Sequence, residues 1–161
     1  MKIRARDCIV LVVLVLSALP AWADFAAGLS AYQNGDYTRA LKEWQPIAEQ
    51  GDATAQFNLG LMYYEGQGVR QDYARAVDWF QRAAQQDYGK AQYDLGAMYG
   101  AGKGVKRDYV QAYVWLDVCA GKGDSRCATQ RDLVAEKLSA SNLAAAQRLA
   151  SEWKPKQERE Q

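Results

Sequence analysis

A shift of 36 residues, from Ala55 to Ala91, brings two long blocks of this chain into register. AQFNLGLMYYEGQGVRQDYARAVDWFQRAA begins at Ala55 and AQYDLGAMYGAGKGVKRDYVQAYVWLDVCA at Ala91. Alanine, glutamine, leucine, glycine, methionine, tyrosine, valine, aspartate and tryptophan recur at matched places. Chance does not align so many unlike residue types. A period of about 20–50 residues marks a stack of supersecondary units, each too small to bury its apolar face alone. This repeat constrains the fold more than any other feature of the sequence.

Each block reads as helix, loop, helix. Asp52 is placed to cap a helix whose Ala55, Leu59, Met62 and Tyr63 share a face. Gly66 and Gly68 then suit left-handed backbone, which ends a helix at little steric cost. Asp72 caps a second helix that turns Ala76, Trp79, Phe80 and Ala83 inward, with Gly60 and Ala76 small where the pair crosses. Gly96, Gly104, Val105, Asp108 and Ala112 repeat the arrangement. The recurring rings of Tyr63, Trp79, Tyr99 and Trp115 read as core packing.

A shorter unit precedes the blocks. Gly28, Tyr32, Asp36, Tyr37, Ala40, Trp44 and Ala48 echo them around a tight Asn34-Gly35 turn, and Pro46 predicts a kink in the second helix. After the blocks, 124–138 supplies one more helix of the first type. Ser139 then caps a closing helix over 140–153, and the charged KPKQEREQ of 154–161 reads as a disordered tail. The divisions are therefore 1–23, 24–51, 52–87, 88–123, 124–153 and 154–161.

The first division reads as a leader. Lys2, Arg4 and Arg6 precede an apolar run from Ile9 to Leu19, and Ala21-Trp22-Ala23 offers small residues to a signal peptidase. The run is about half of the ~20 residues a membrane span needs. Cleavage after Ala23 would send the chain to the periplasm of a Gram-negative bacterium, or outside the cell, with no stable membrane insertion afterwards. Cys8 lies before the apolar run, so it is not a lipoprotein cysteine.

Composition narrows the chemistry. Residues 1–23 hold three of the cations and one of the anions, so the remainder carries a net charge of −1 and no broad footprint for nucleic acid. Histidine is absent, which removes the commonest general base and metal ligand and with them a serine-histidine triad. Ser151-Glu152-Trp153-Lys154 matches Ser-x-x-Lys, but no Ser-Asp-Asn or Lys-Thr-Gly partner follows. No catalytic residue, cofactor or metal is assigned. CAGKGDSRC, from Cys119 to Cys127, admits a redox pair, a metal clip, a phosphate loop or a staple. Its spacing is not Cys-x-x-Cys, two cysteines fall short of a zinc set, and the glycines do not make a phosphate loop.

The pattern A-Q-[FY]-x-L-G-x-M-Y-x-x-G-x-G-V-x-x-D-Y-x-x-A, at Ala55 and again at Ala91, resembles the Sel1-like repeat, a relative of the tetratricopeptide repeat with a longer inter-helix loop. The unit with Gly28, Ala40 and Trp44 is similar to a plain tetratricopeptide unit. The resemblance implies an all-α, right-handed solenoid of stacked antiparallel helix pairs closed by a C-terminal capping helix. It implies a non-catalytic adaptor, and many bacterial members are secreted or periplasmic. In cysteine-rich members, cysteines eight apart tie the second helix of one repeat to the first helix of the next. Cys119 and Cys127 match that placement, so the resemblance implies a disulfide there. Ala83 and Ala91 stand at the equivalent places one repeat earlier, so only one junction would be stapled.

The resemblance also implies a groove lined by first helices. By analogy its inward positions are Leu29 and Tyr32; Thr54, Phe57, Leu61 and Tyr64; Lys90, Tyr93 and Ala97; Thr129 and Leu133. Rings among a few polar groups suit a peptide or a partner helix. Phe57 and Tyr93 serve equally as inter-repeat core. Tyr64 becomes Gly100 one repeat on, which frees it from packing duty and favours it as a contact residue. A protein or peptide partner is the first reading, with oligomeric state left open. A module for cell-wall glycan or stem peptide is the alternative, and an enzyme acting on cell-wall or β-lactam-like substrates a third.

Overall fold

The computed structural model describes residues 21–156 as eight helices, with no strand among them. They are α1 (Ala21–Gln33), α2 (Tyr37–Glu49), α3 (Ala53–Glu65), α4 (Tyr73–Gln85), α5 (Gly89–Ala101), α6 (Tyr109–Ala120), α7 (Ser125–Ala135) and α8 (Ala140–Glu152). Most of the expected leader lies outside the described residues, and the expected cleavage point after Ala23 falls in the first turn of α1. Among the described residues no helix is long and apolar enough to cross a membrane.

Caps set the helix starts as the sequence predicts. The side chains of Asp36, Asp52, Asp72, Asp108, Asp124 and Ser139 each accept a hydrogen bond from a backbone N–H in the first turn of the helix that follows. Such a bond satisfies one of the donors a helix start leaves open and contributes about 1 kcal/mol. Left-handed glycines set the stops: Gly66 (φ 74°) ends α3 and Gly102 (φ 69°) ends α5. α2 runs unbroken through Pro46.

Helices pair as α1/α2, α3/α4 and α5/α6, and each second helix packs on the next first helix. One glycine per pair makes room for a large side chain opposite. A Cβ at Gly60 would stand 2.5 Å from Phe80 Cδ1, and one at Gly96 would stand 2.7 Å from Leu116 Cγ. Gly28 leaves the same room for Trp44. Between units, Gly68 and Gly104 lie against the backbone of Tyr37 and Tyr73, the first residues of α2 and α4. Two core clusters result. Trp44, Ile47, Leu59 and Met62 join the first two units. Phe57, Phe80, Leu95, Met98 and Trp115 join the next two. Burying a side chain such as Phe80 stabilises by about 1.5–3 kcal/mol. Of the rings read as core, Trp115 is buried, whereas Tyr63, Tyr99 and Trp79 are partly buried and pack on the clusters' edges.

Two buried glutamines also tie units together. Gln56 donates to Ala48 O at 2.9 Å and accepts from Gln86 Nε2 at 2.8 Å. One repeat on, Gln92 donates to Ala84 O at 3.2 Å and accepts from Lys122 Nζ at 2.9 Å. Each amide bridges the carboxyl end of one second helix to the turn that follows the next.

The closing helices depart from the repeat plan. α8 packs mainly across α6, through Tyr113, Val114 and Ala146, instead of pairing with α7. Trp153 reaches Trp115, with ring centroids 6.1 Å apart. The chain expected to fray from Lys154 is described as far as Lys156, which lines a pocket of about 530 Å³ with Glu49, Gln56 and Arg82. The remainder lies outside the described residues.

Candidate functional site

The first helices expose one stripe each. On α5 it comprises Lys90, Tyr93, Asp94 and Ala97, the i, i+3, i+4, i+7 spacing of a single helical face. On α3 the matching stripe holds Thr54, Asn58 and Leu61, each partly exposed. Leu29 on α1 is 40% exposed and Leu133 on α7 is 49% exposed.

The structure sorts the predicted groove residues. Lys90, Tyr93 and Leu61 stay accessible. Phe57 does not: it is 8% exposed, with its ring 5.6 Å from Phe80 and 5.2 Å from Tyr88. It is inter-repeat core, because the small Gly60 one turn on draws Phe80 into the same space. Tyr32 is partly buried against Tyr37 and Trp44, at 5.2 and 5.5 Å. Tyr64 has a packing role that its replacement by Gly100 had concealed. It stacks edge-on to Tyr73 at 5.3 Å, and its hydroxyl accepts from Lys103 Nζ at 2.9 Å. The ammonium lies 4.4 Å from the Tyr64 ring centroid and 4.3 Å from that of Tyr73. The hydroxyl contact holds the Lys103 pKa above its ordinary value.

One stripe residue was missed from the sequence. Asp94 is partly buried and makes no hydrogen bond or ion pair with another described residue. Burial pushes its carboxyl up to about 6, against the pull of the Arg126 charge. Arg126 is turned elsewhere: it grips Asp124 at 2.7 Å and lies 5.3 Å from the Tyr93 ring centroid. That grip holds Asp124 down at about 2. The available signal was Asn58, a neutral residue at the same register one repeat earlier.

Cys119, in the last turn of α6, is joined to Cys127, in the first turn of α7, with Cα atoms 5.8 Å apart. Both are buried. Gly123 makes the intervening turn with φ 87°, whereas Gly121 stays right-handed. The Asp124 carboxylate lies within 4.8 Å of both sulfurs, but bonded cysteines leave no thiolate to hold a metal. Lys122 is held on Asp87, donating to its carbonyl at 2.7 Å and pairing with its carboxylate. Ser151 donates to Arg148 O at 2.7 Å, so its hydroxyl serves the last turn of α8.

A Sel1-repeat family model matches residues 53–88 and 89–117. Two Sel1 repeats form the middle of this chain. Among solved structures, c5321, described as a protective antigen of uropathogenic Escherichia coli with an SLR fold, is 33% identical with a TM-score of 0.76. The match covers 81% of this chain and 29% of that one. A Sel1 repeat protein from Oxalobacter formigenes is 31% identical, with a TM-score of 0.68, over 77% of this chain and 51% of that one. This chain thus spans at most about half the length of either solved relative. No match was found among curated proteins. Sel1 repeats generally mediate protein–protein interaction, and the stripe on α5 is one accessible face of the second repeat.

Proposed function

We propose that the chain is a non-catalytic scaffold of the periplasm or cell exterior that holds a protein or peptide against its first-helix face. Asp94 carries this reading. A carboxylate taken out of water without a donor costs free energy, and a partner's ammonium, guanidinium or amide would supply the missing donor. Tyr93, Lys90 and Ala97 surround it with a ring, a cation and a small open position. Leu61 and Leu133 add apolar area on the flanking helices. The leader pattern before Asp24 and the bonded cysteines support an oxidising compartment.

Crosslinking in the native cell envelope, read by mass spectrometry, tests the proposal. Wild type should capture a discrete partner, and Asp94→Asn and Tyr93→Ala should lose most of it while keeping their helical spectrum. Capture should strengthen as pH rises through about 6, because a partner's cation favours the ionised form of Asp94. Undiminished capture by both variants would place the binding surface elsewhere.

A further inference from the structure

At the solenoid edge where α3 turns into α4, a pocket of about 750 Å³ is lined by Tyr63, Val69, Arg70, Asp72, Tyr73 and Arg75. Its one carboxylate is already committed. Asp72 accepts from the Arg75 backbone N–H at 3.0 Å as the cap of α4, and its other oxygen lies 3.5 Å from Arg75 Nε. Arg75 is held in place from a second side, donating to the Tyr63 hydroxyl at 3.3 Å with its guanidinium 5.4 Å from the ring centroid. Arg70 is exposed and makes no hydrogen bond or ion pair with another described residue. Lys103, from the next loop, stands 4.3 Å from the Tyr73 ring centroid.

The next repeat continues the charge. Lys106 stands at the register of Arg70, and Arg107 follows it; both are exposed. Asp108, like Asp72, is occupied as a helix cap. Along this edge the uncommitted charge is therefore mostly cationic, although the chain as a whole is close to neutral.

We propose that this edge, centred on Arg70 and Arg75, is a second docking surface that takes an acidic polypeptide segment. The segment's carboxylates sit on the two guanidinium groups and its side chains lie between Tyr63 and Tyr73. Paired arginines and tyrosines are the residue types that carry most binding energy between proteins, and guanidinium is the preferred partner of a carboxylate. A volume of about 750 Å³ far exceeds one phosphate. A membrane surface fits less well, because the exposed large apolar side chains among the described residues are Leu29, Leu133 and Leu149, none of them on these loops. The surface is separate from the α5 stripe and stands or falls independently of it.

The test uses the full oxidised chain and fluorescein-labelled hexaglutamate, read by anisotropy, with hexalysine as the control. Hexaglutamate should bind saturably, weaken as salt rises, and bind about tenfold more weakly to Arg70→Glu. Because Arg70 is exposed and unpartnered, that variant should keep the wild-type unfolding midpoint. Arg70→Lys should fall between wild type and Arg70→Glu, and Asp94→Asn should leave the affinity unchanged. Equal binding of hexaglutamate and hexalysine, or undiminished binding to Arg70→Glu, would overturn the proposal. So would Arg70-dependent capture of phosphatidylglycerol vesicles without hexaglutamate binding, which would assign the edge to lipid.

Discussion

The two Sel1 repeats share the aspartate cap of the second helix, the loop glycines and a buried glutamine, and differ at several registers that matter. Where one has Gly60 against Phe80, Asn58, Tyr64 and Gln86, the other has Gly96 against Leu116, Asp94, Gly100 and Lys122. Positions that hold one unit to the next tolerate only substitutes that keep the bond, as Gln86 and Lys122 both donate to a buried glutamine. Positions on the exposed stripe are free to diverge, and there the second repeat has acquired a charge it does not spend on itself. Divergence inside a repeat array thus marks positions that no inter-unit bond holds, except where a neighbouring loop intervenes. Tyr64 is that exception, since Lys103 from the next loop claims it.

The sharpest way to break the equivalence is to fill its glycines. Gly60→Ala meets a rigid ring at 2.5 Å, and Gly96→Ala meets the branched end of a leucine at 2.7 Å. Urea unfolding should show Gly60→Ala costing about 3 kcal/mol and Gly96→Ala about 1–2 kcal/mol, since a leucine rotates away more easily than a phenylalanine. Equal costs would mean that the two crossings yield alike.

The staple comes next. Ala83 and Ala91 pack one junction without a covalent link, whereas Cys119 and Cys127 bond the following one. Replacing both cysteines by alanine should cost about 2–3 kcal/mol on the chain-entropy view of so short a loop. Hydrogen exchange should loosen α7 and leave α3 and α4 protected. Loosening throughout would show that the staple holds more than its own junction.

Asp94→Asn copies the earlier repeat into the later one. The folded chain holds the Asp94 proton more tightly than the ordinary 3.8 allows. Wild-type stability should therefore fall as pH climbs from about 4 to about 6, and stay lower above that. The variant should match wild type near pH 4 and exceed it by roughly 1–2 kcal/mol at neutral pH. A gain in stability with a loss of partner is the signature of a residue kept for binding. A flat difference across pH would remove Asp94 from that role.

The smallest effect concerns the turn before α5. Gly51, Asp87 and Gly123 occupy one register with φ of 107°, 70° and 87°. Asp87 sits in left-handed backbone that disfavours a side chain, and its pairing with Lys122 offsets that cost. Asp87→Gly should lie within about 0.5 kcal/mol of wild type, because relief of strain nearly cancels the loss of the Lys122 pair and of the 3.2 Å hydrogen bond from Gln92. A larger loss would show that Asp87 holds the buried Gln92 in place, directly or through Lys122.

Much of the architecture was legible in the primary sequence. Asp52, Asp72, Asp108 and Ser139 cap where their spacing predicts, and the loop glycines are left-handed. Caps and stops act over a few residues, so a linear reading captures them. The candidate site was less legible. Phe57 and Tyr64 look like groove residues until Phe80, Tyr88 and Lys103 are brought beside them. Asp94 looks like an ordinary solvated carboxylate until its surroundings close in. Of the closing helices, α7 ends at Ala135, short of the expected 138, and α8 lies on α6, where Ala146 meets Tyr113 and Val114.

The sequence by itself determined the unit and its length, because a repeat writes local physics twice and each copy checks the other; the staple, present in one copy alone, was implied by the family resemblance. Only the tertiary structure decided which rings are core, which tyrosine a lysine occupies, and which carboxylate and arginine are left without partners. Those outcomes depend on side chains about 30 or more residues apart meeting at distances of a few ångströms, and no pattern along the chain encodes such a meeting.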